Sequence, residues 1–166
     1  IEFDGFGIGG ALDKSTLGTI VKWVNEELPR NKPRHLLGIG EPSDLFVGVE
    51  NGADTFDCVA PSREARTSAV YTNTGRFNVS NGAFKRDFTP IEEGCGCYTC
   101  QNYTKAYLNH LFRGKEILAA TLATIHNEHF IVKLVDDMRK AIDNREFFEF
   151  KKDFLGRYQA GRSQNA

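Results

Sequence analysis

Three of the four cysteines fall within six residues, as Cys95-Gly96-Cys97-Tyr98-Thr99-Cys100. Such crowding disfavours separate disulfides. A Cys-x-Cys-x-x-Cys run instead aims three thiolates at one centre, with Gly94 and Gly96 allowing the backbone turns this needs. It is metal-ligand spacing. A tetrahedral zinc needs one more ligand, and His126, on the helical segment that follows, is the best candidate; His129 and His110 compete with it. Four protein ligands leave no position for water, so the site is structural in character. Cys58 stands apart in an apolar stretch and reads as a small buried hydrophobe.

Asp57 is the second residue that could do chemistry. It sits in the apolar run Thr55-Phe56-Asp57-Cys58-Val59, and working residues of barrels and open α/β sheets project from the C-terminal ends of parallel strands. There it could act as nucleophile or general base, with Arg63 and Arg66 in the following loop available to a phosphate backbone. A buried aspartate paired with an arginine for structure is the alternative. Residues 61–90 are locally basic, holding Arg63, Arg66, Arg76, Lys85 and Arg86 against Glu64 and Asp87. The whole chain has a net charge of -1, so any nucleic-acid binding must come from such a patch. The run Gly5-Phe6-Gly7-Ile8-Gly9-Gly10 is no dinucleotide fingerprint, because its glycines lie within and just after a strand instead of opening a helix. Glycines at a strand end let the backbone approach a flat ligand.

The elements that must position these residues begin as a βα alternation. Phe3 to Ile8 reads as a strand, followed by a helix capped by Ser15 that runs to Leu28 with Leu17, Ile20, Val21, Val24 and Leu28 on one face. Residues 35–40 read as a buried strand, Pro42 opens a helix that Gly52 ends, and residues 55–59 form a third strand. Residues 59–66 read as a loop. From Val70 to Asn81 the period becomes two, with Asn73-Thr74-Gly75 as the turn of a hairpin. Residues 101–112 and 115–142 are helical by apolar spacing, and Phe147, Phe150, Phe154 and Tyr158 share one face of a last helix as core.

The chain's 166 residues suit one hydrophobic core, with 40% hydrophobic and 26% charged residues as in an ordinary globular protein. No apolar run approaches the roughly 20 residues of a membrane span, and Ile1 to Gly10 do not read as a signal peptide. A start at Ile1 with no initiating methionine, Met138 being the single one, suggests a piece of something longer. A (β/α)8 barrel takes about 250 residues, so about half of one fits before the cysteine loop.

Several stretches together resemble the tRNA-guanine transglycosylases, also called queuine tRNA-ribosyltransferases. They are Gly9-Gly10, residues 35–42 (HLLGIGEP), residues 52–63 (GADTFDCVAPSR), Asn78 to Phe88, and Cys95, Cys97 and Cys100 with His126-Asn127. The resemblance implies an α/β fold: the C-terminal portion of a (β/α)8 TIM barrel with an inserted structural zinc-binding subdomain and C-terminal helices. It divides the chain into barrel βα units at 1–68, a hairpin and zinc subdomain at 69–126, and C-terminal helices at 127–166. It implies exchange of guanine in tRNA for a 7-deazaguanine, preQ1 or queuine, with Asp57 as the nucleophile that holds the ribose covalently.

The same resemblance places Gly9, Gly10, Ala11, Leu37 and Gly38 beside the incoming base, and Arg63 and Arg66 near the tRNA backbone. Zn2+ bound by Cys95, Cys97, Cys100 and His126 would shape a tRNA-docking and dimer surface, homodimeric or heterodimeric, in a cytoplasmic protein. With no further RNA-binding domain after Tyr158, the bacterial or eukaryal type is expected over the archaeal. The base loop departs from the family's pattern, since Gly10-Ala11-Leu12-Asp13-Lys14-Ser15 lacks the glutamate usual there. General acid/base and purine-reading aspartates are expected in an N-terminal half, so this part alone is expected to be inactive. Two rival readings are a non-catalytic subunit of a transglycosylase complex, which retention of Asp57 opposes, and an unrelated zinc-stapled RNA-binding module.

Overall fold

The computed structural model describes residues 3–10 and 13–164, with side chains as far as residue 160. The chain is mixed α/β and divides into two compact units, Ile1–Ala60 and Pro61–Ala166.

Unit one alternates β1 (Phe6–Ile8), α1 (Leu17–Glu27), β2 (Arg34–Leu36), α2 (Pro42–Glu50) and β3 (Thr55–Phe56). The strands are parallel in the order β1-β2-β3, with Ile8 opposite Leu36 and His35 opposite Thr55. Each helical crossover covers the sheet with one apolar face, and Leu17 and Val21 of α1 are buried together with Ile8, Leu36 and Ala53. The strands are shorter than expected. β2 stops at Leu36 because Gly38 turns the chain at φ +73°, a left-handed conformation that glycine adopts without steric cost. The helix expected from Ser15 starts later: Ser15 bonds to Asp13 through its amide (3.2 Å) and hydroxyl (3.0 Å), and Thr16 precedes Leu17 without a side-chain cap.

α3 (Ala60–Arg66), where a loop was expected, starts on the last residue of unit one and leads unit two into the antiparallel hairpin β4 (Ala69–Thr72) and β5 (Gly75–Asn78). A short 3-10 helix, Gly82–Arg86, leads to α4 (Tyr98–Asn102), α5 (Lys105–Arg113), α6 (Ile117–Asp143) and α7 (Phe147–Gln164). The helix expected from Gln101 is two helices. α4 ends at Tyr103, and Thr104 then caps α5 by accepting a hydrogen bond from the Tyr107 amide (3.2 Å). The core gathers Val70, Val79, Leu108, Leu111 and Leu122, together with Cys97 and Cys100. Three of the four aromatics expected on one face of α7 are core: Phe147, Phe154 and Tyr158 are buried, Phe154 stacks on Tyr158 with ring centroids 5.5 Å apart, and Phe150 is half-buried against Phe154. No helix among the described residues is long and apolar enough to cross a membrane.

Two polar locks hold unit two. Asn127, fully buried on α6, accepts from the Tyr71 amide (3.1 Å) and donates to the carbonyls of Ala69 and Pro61, each at 3.0 Å. It thus completes the free edge of β4. Replacing it with leucine strands three buried backbone groups, each costing roughly 1–3 kcal/mol, so Asn127→Leu is expected to lower stability by about 3 kcal/mol or more in urea unfolding. The second lock is Asp87, which accepts from Lys105 Nζ (2.8 Å), Thr89 Oγ1 (2.6 Å) and the Thr89 amide (3.0 Å). Burial pushes its pKa up, but these bonds outweigh it and bring the carboxyl down from 3.8 to about 2. The lowered value makes its contribution full above the unfolded pKa and lost as pH falls through about 2. The stability gap between the natural chain and Asp87→Asn should therefore be constant above pH 5 and close between pH 4 and 2. Acid titration of the urea midpoint measures it, and the gap is small because the pair is partly solvent-exposed.

Candidate metal centre and strand-end carboxylate site

The cysteine loop and α6 build a four-residue cluster in unit two. Cys97 caps α4, its Sγ accepting from the Cys100 amide at 3.3 Å, so Cys97 and Cys100 face the same way. Gln101 donates to the Cys95 carbonyl (2.7 Å), and the Thr99 hydroxyl donates to the Leu122 carbonyl (2.7 Å), which seats the loop on α6. His126 Nδ1 lies 3.8, 3.5 and 3.3 Å from the sulfurs of Cys95, Cys97 and Cys100. All four donor atoms fall within 4.8 Å of one another. With Zn–S of about 2.3 Å and Zn–N of about 2.1 Å, a tetrahedral ion requires N···S edges of about 3.6 Å. The residues fit a metal ion. Of the histidines considered from sequence, His126 alone joins the cluster; His110 is exposed and His129 half-buried.

The tautomer is set from behind. His126 Nε2 donates to the Tyr71 carbonyl at 2.7 Å, which leaves Nδ1 to face the sulfurs. The crowding shows in the proton affinities. The hydrogen bond between Cys97 and Cys100 pulls Cys97 well below the ordinary thiol range and pushes Cys100 up, and burial raises Cys100 further. Burial works against a charge on His126, yet its contacts with Cys95 and Cys97 raise it to about 9. A bound divalent cation would replace these shared protons and cross-link α4 to α6.

In unit one the sequence candidates meet at the C-terminal ends of three parallel strands. Asp57 lies just past β3 with its side chain 61% exposed, so the alternative of a buried structural aspartate does not describe it. Its Oδ1 accepts from His35 Nε2 at 3.0 Å and from the Gly38 amide at 3.2 Å. The His35 bond first, and then the Gly38 amide, hold the carboxyl below its usual range, so it is ionised at neutral pH. The Leu37 amide donates to the Ile8 carbonyl (2.9 Å), and a Cβ at Gly7 or Gly9 would meet Leu37 Cδ1 at 3.1 or 3.0 Å. Gly9, Leu37, Gly38 and Asp57 therefore share one strand-end surface. Gly10 is exposed at φ +123°, and Ala11 lies outside the described residues.

Cys58 is half-buried and hydrogen-bonded, its Sγ accepting from the Ala60 amide at 3.2 Å. A Cβ on Gly40 would overlap it, which explains the glycine. Arg63 and Arg66 are exposed on the last turn of α3, while Arg76 of the same basic segment is paired with Glu64 at 2.9 Å. Two participants escaped the sequence reading: His35, and Thr55, whose Oγ1 lies 2.8 Å from His35 Nδ1. The period of two offered a signal, since His35 shares a strand face with Leu37, and Thr55 shares one with Asp57.

Unit one thus presents a carboxylate and exposed glycine backbone at the C-terminal ends of parallel strands, where the working residues of α/β folds lie. Comparison with known proteins narrows the class. The family described as queuine tRNA-ribosyltransferase matches residues 1–160. The queuine tRNA-ribosyltransferase of Caldanaerobacter subterraneus subsp. tengcongensis is 45% identical over 99% of this chain and 44% of its own length. That of Helicobacter acinonychis is 48% identical over 96% of this chain and 44% of its own length. The chain belongs to the queuine tRNA-ribosyltransferase family and spans less than half the length of these curated relatives.

The ligand assignment has a direct check. The purified protein should carry one zinc per chain by elemental analysis. Cys97→Ser or His126→Ala should abolish it, and His110→Asn or His129→Asn should leave it in place.

Proposed function

We propose that this chain is the nucleophile-bearing, C-terminal part of a tRNA-guanine transglycosylase. The observation that carries the reading is an ionised Asp57 presented at the C-terminal end of β3, in a chain whose family match runs over residues 1–160. Two successive βαβ units with strands in simple sequential order support a segment of a (β/α)8 barrel. In that reading residues 1–68 supply barrel units, 69–126 the hairpin and zinc subdomain, and 127–166 the C-terminal helices.

The reaction is a double displacement. A carboxylate oxygen of Asp57 forms a bond to C1' of the ribose as the C1'–N9 bond breaks, and the electron pair departs with guanine, which takes up a proton. The 7-deazaguanine, having lost its N9 proton, then bonds to C1', and the electron pair of the ester returns to Asp57. Two inversions give retention. The target nucleotide must leave its stack to reach the carboxylate. Gly9, Gly10 and Leu37 offer the incoming base a flat backbone surface, and the family resemblance adds Ala11 to the base-binding residues. Gly38 contributes differently, its amide being directed at Asp57. Exposed Arg63 and Arg66 suit tRNA phosphates.

Zn2+ in the Cys95, Cys97, Cys100 and His126 cluster is structural, since four protein ligands close its coordination. Exposed Tyr98 and Tyr107, flanking Tyr103 in one ring cluster beside the metal loop, support a dimer contact through this subdomain. A tRNA substrate supports a cytoplasmic location.

In the full-length protein, Asp57→Ala should abolish both base exchange and the covalent tRNA adduct seen on a denaturing gel. A persistent adduct removes Asp57 from the role, and tRNA binding with no exchange in the natural protein favours a non-catalytic subunit. Residues 1–166 alone should not incorporate labelled guanine into tRNA.

A further inference from the structure

The hydrogen bonds around Asp57 are asymmetric. The His35 ring and the Gly38 amide both bond to Oδ1. An ionised carboxylate only accepts, so His35 Nε2 must carry the proton in that contact. The far side of the ring is held as well: Nδ1 meets Thr55 Oγ1 at 2.8 Å, and the strand register places His35 opposite Thr55. The imidazole is therefore fixed at both nitrogens, between the neighbouring strand and the carboxylate.

We propose that His35 is a positioning residue for Asp57: with the Gly38 amide it ties Oδ1, leaves Oδ2 to attack, and makes the carboxylate the better leaving group when the ribosyl ester breaks. The inference rests on the reading of Asp57 as nucleophile. When Oδ2 bonds to C1', Oδ1 becomes the carbonyl oxygen of the ester and carries little charge. When the incoming base bonds to C1' and the C1'–Oδ2 pair returns, negative charge spreads onto Oδ1, where two N–H donors already point. Donors that favour the free carboxylate over the ester temper its attack and speed its departure. They keep the covalent intermediate from becoming a trap. His35 touches neither the ribose nor the base in this account. Its effect passes through Asp57.

The test separates formation from breakdown of the adduct in the full-length protein. Adduct is formed on a tRNA anticodon stem-loop, trapped by denaturation, located by peptide mass spectrometry, and chased with a 7-deazaguanine base. His35→Phe keeps a ring but no donor, and its adduct on Asp57 should form yet decay on the order of tenfold more slowly, as expected for loss of one hydrogen bond to a charged group. His35→Gln, which restores an N–H near the Nε2 position, should decay close to the natural rate. Thr55→Val, which only frees the ring, should slow decay by a smaller factor, and it stands as the test should His35→Phe not fold. Decay at the natural rate in His35→Phe or Thr55→Val overturns the proposal, as does equal slowing by phenylalanine and glutamine. If the natural protein forms its adduct on a residue other than Asp57, the nucleophile assignment itself fails. That result is distinct from any change in decay.

Discussion

Unit two depends on two adjacent polar side chains buried in the same helix. His126 and Asn127 are both inaccessible to solvent, a costly place for an imidazole and an amide unless every polar atom finds a partner. Their partners are the buried edge of β4, the Pro61 carbonyl and the sulfurs of the cysteine loop. Tyr71 is bonded at both ends, its carbonyl accepting from His126 and its amide donating to Asn127. The hairpin, α6 and the cysteine–histidine cluster are thus parts of one hydrogen-bonded arrangement. The apolar core fills the space around it, while the polar pair sets the register.

Unit one is organised by a different constraint. Its strands have only two or three residues each, so little sheet hydrogen bonding is available to fix their ends. Side chains supply what the ladder lacks. Asp54 accepts from the Arg34 amide (2.8 Å) and from Arg34 Nε (3.2 Å), and the Thr55, His35 and Asp57 chain crosses from β3 to β2 and back. The reacting group of the proposed enzyme is thereby part of the structure that holds the strand ends together. Nucleophile geometry and strand pairing cannot vary independently.

Much of this was legible in the sequence. The cysteine spacing defined three donors and their common direction because such crowding has few physical outcomes, and a tetrahedral set demanded a histidine from a following helix. The hairpin showed in its period of two and its turn residues. Less legible were strand lengths and helix starts, which local competition decides: Ser15 bonds to Asp13 in place of capping α1, and Gly38 cuts β2 short. The period of two put His35 on one strand face with Leu37 but could not say what its ring would meet. Its meaning depends on register with Thr55 twenty residues away, which follows only from the pairing of β2 with β3.

The length of α6 gives its buried pair a further significance. The helix runs unbroken from Ile117 to Asp143, and each residue turns about 100° around its axis. One residue inserted between Ala119 and His126 would swing the imidazole away from the sulfurs and the amide away from β4 together, whereas an insertion after Asp143 would disturb neither. A change of length at the α6–α7 junction therefore leaves this pair in place. Between the start of α6 and Asn127 length can change only by whole turns with a matching change in the cysteine loop, so the cysteine–histidine cluster acts as a ruler on how this part of the chain can evolve.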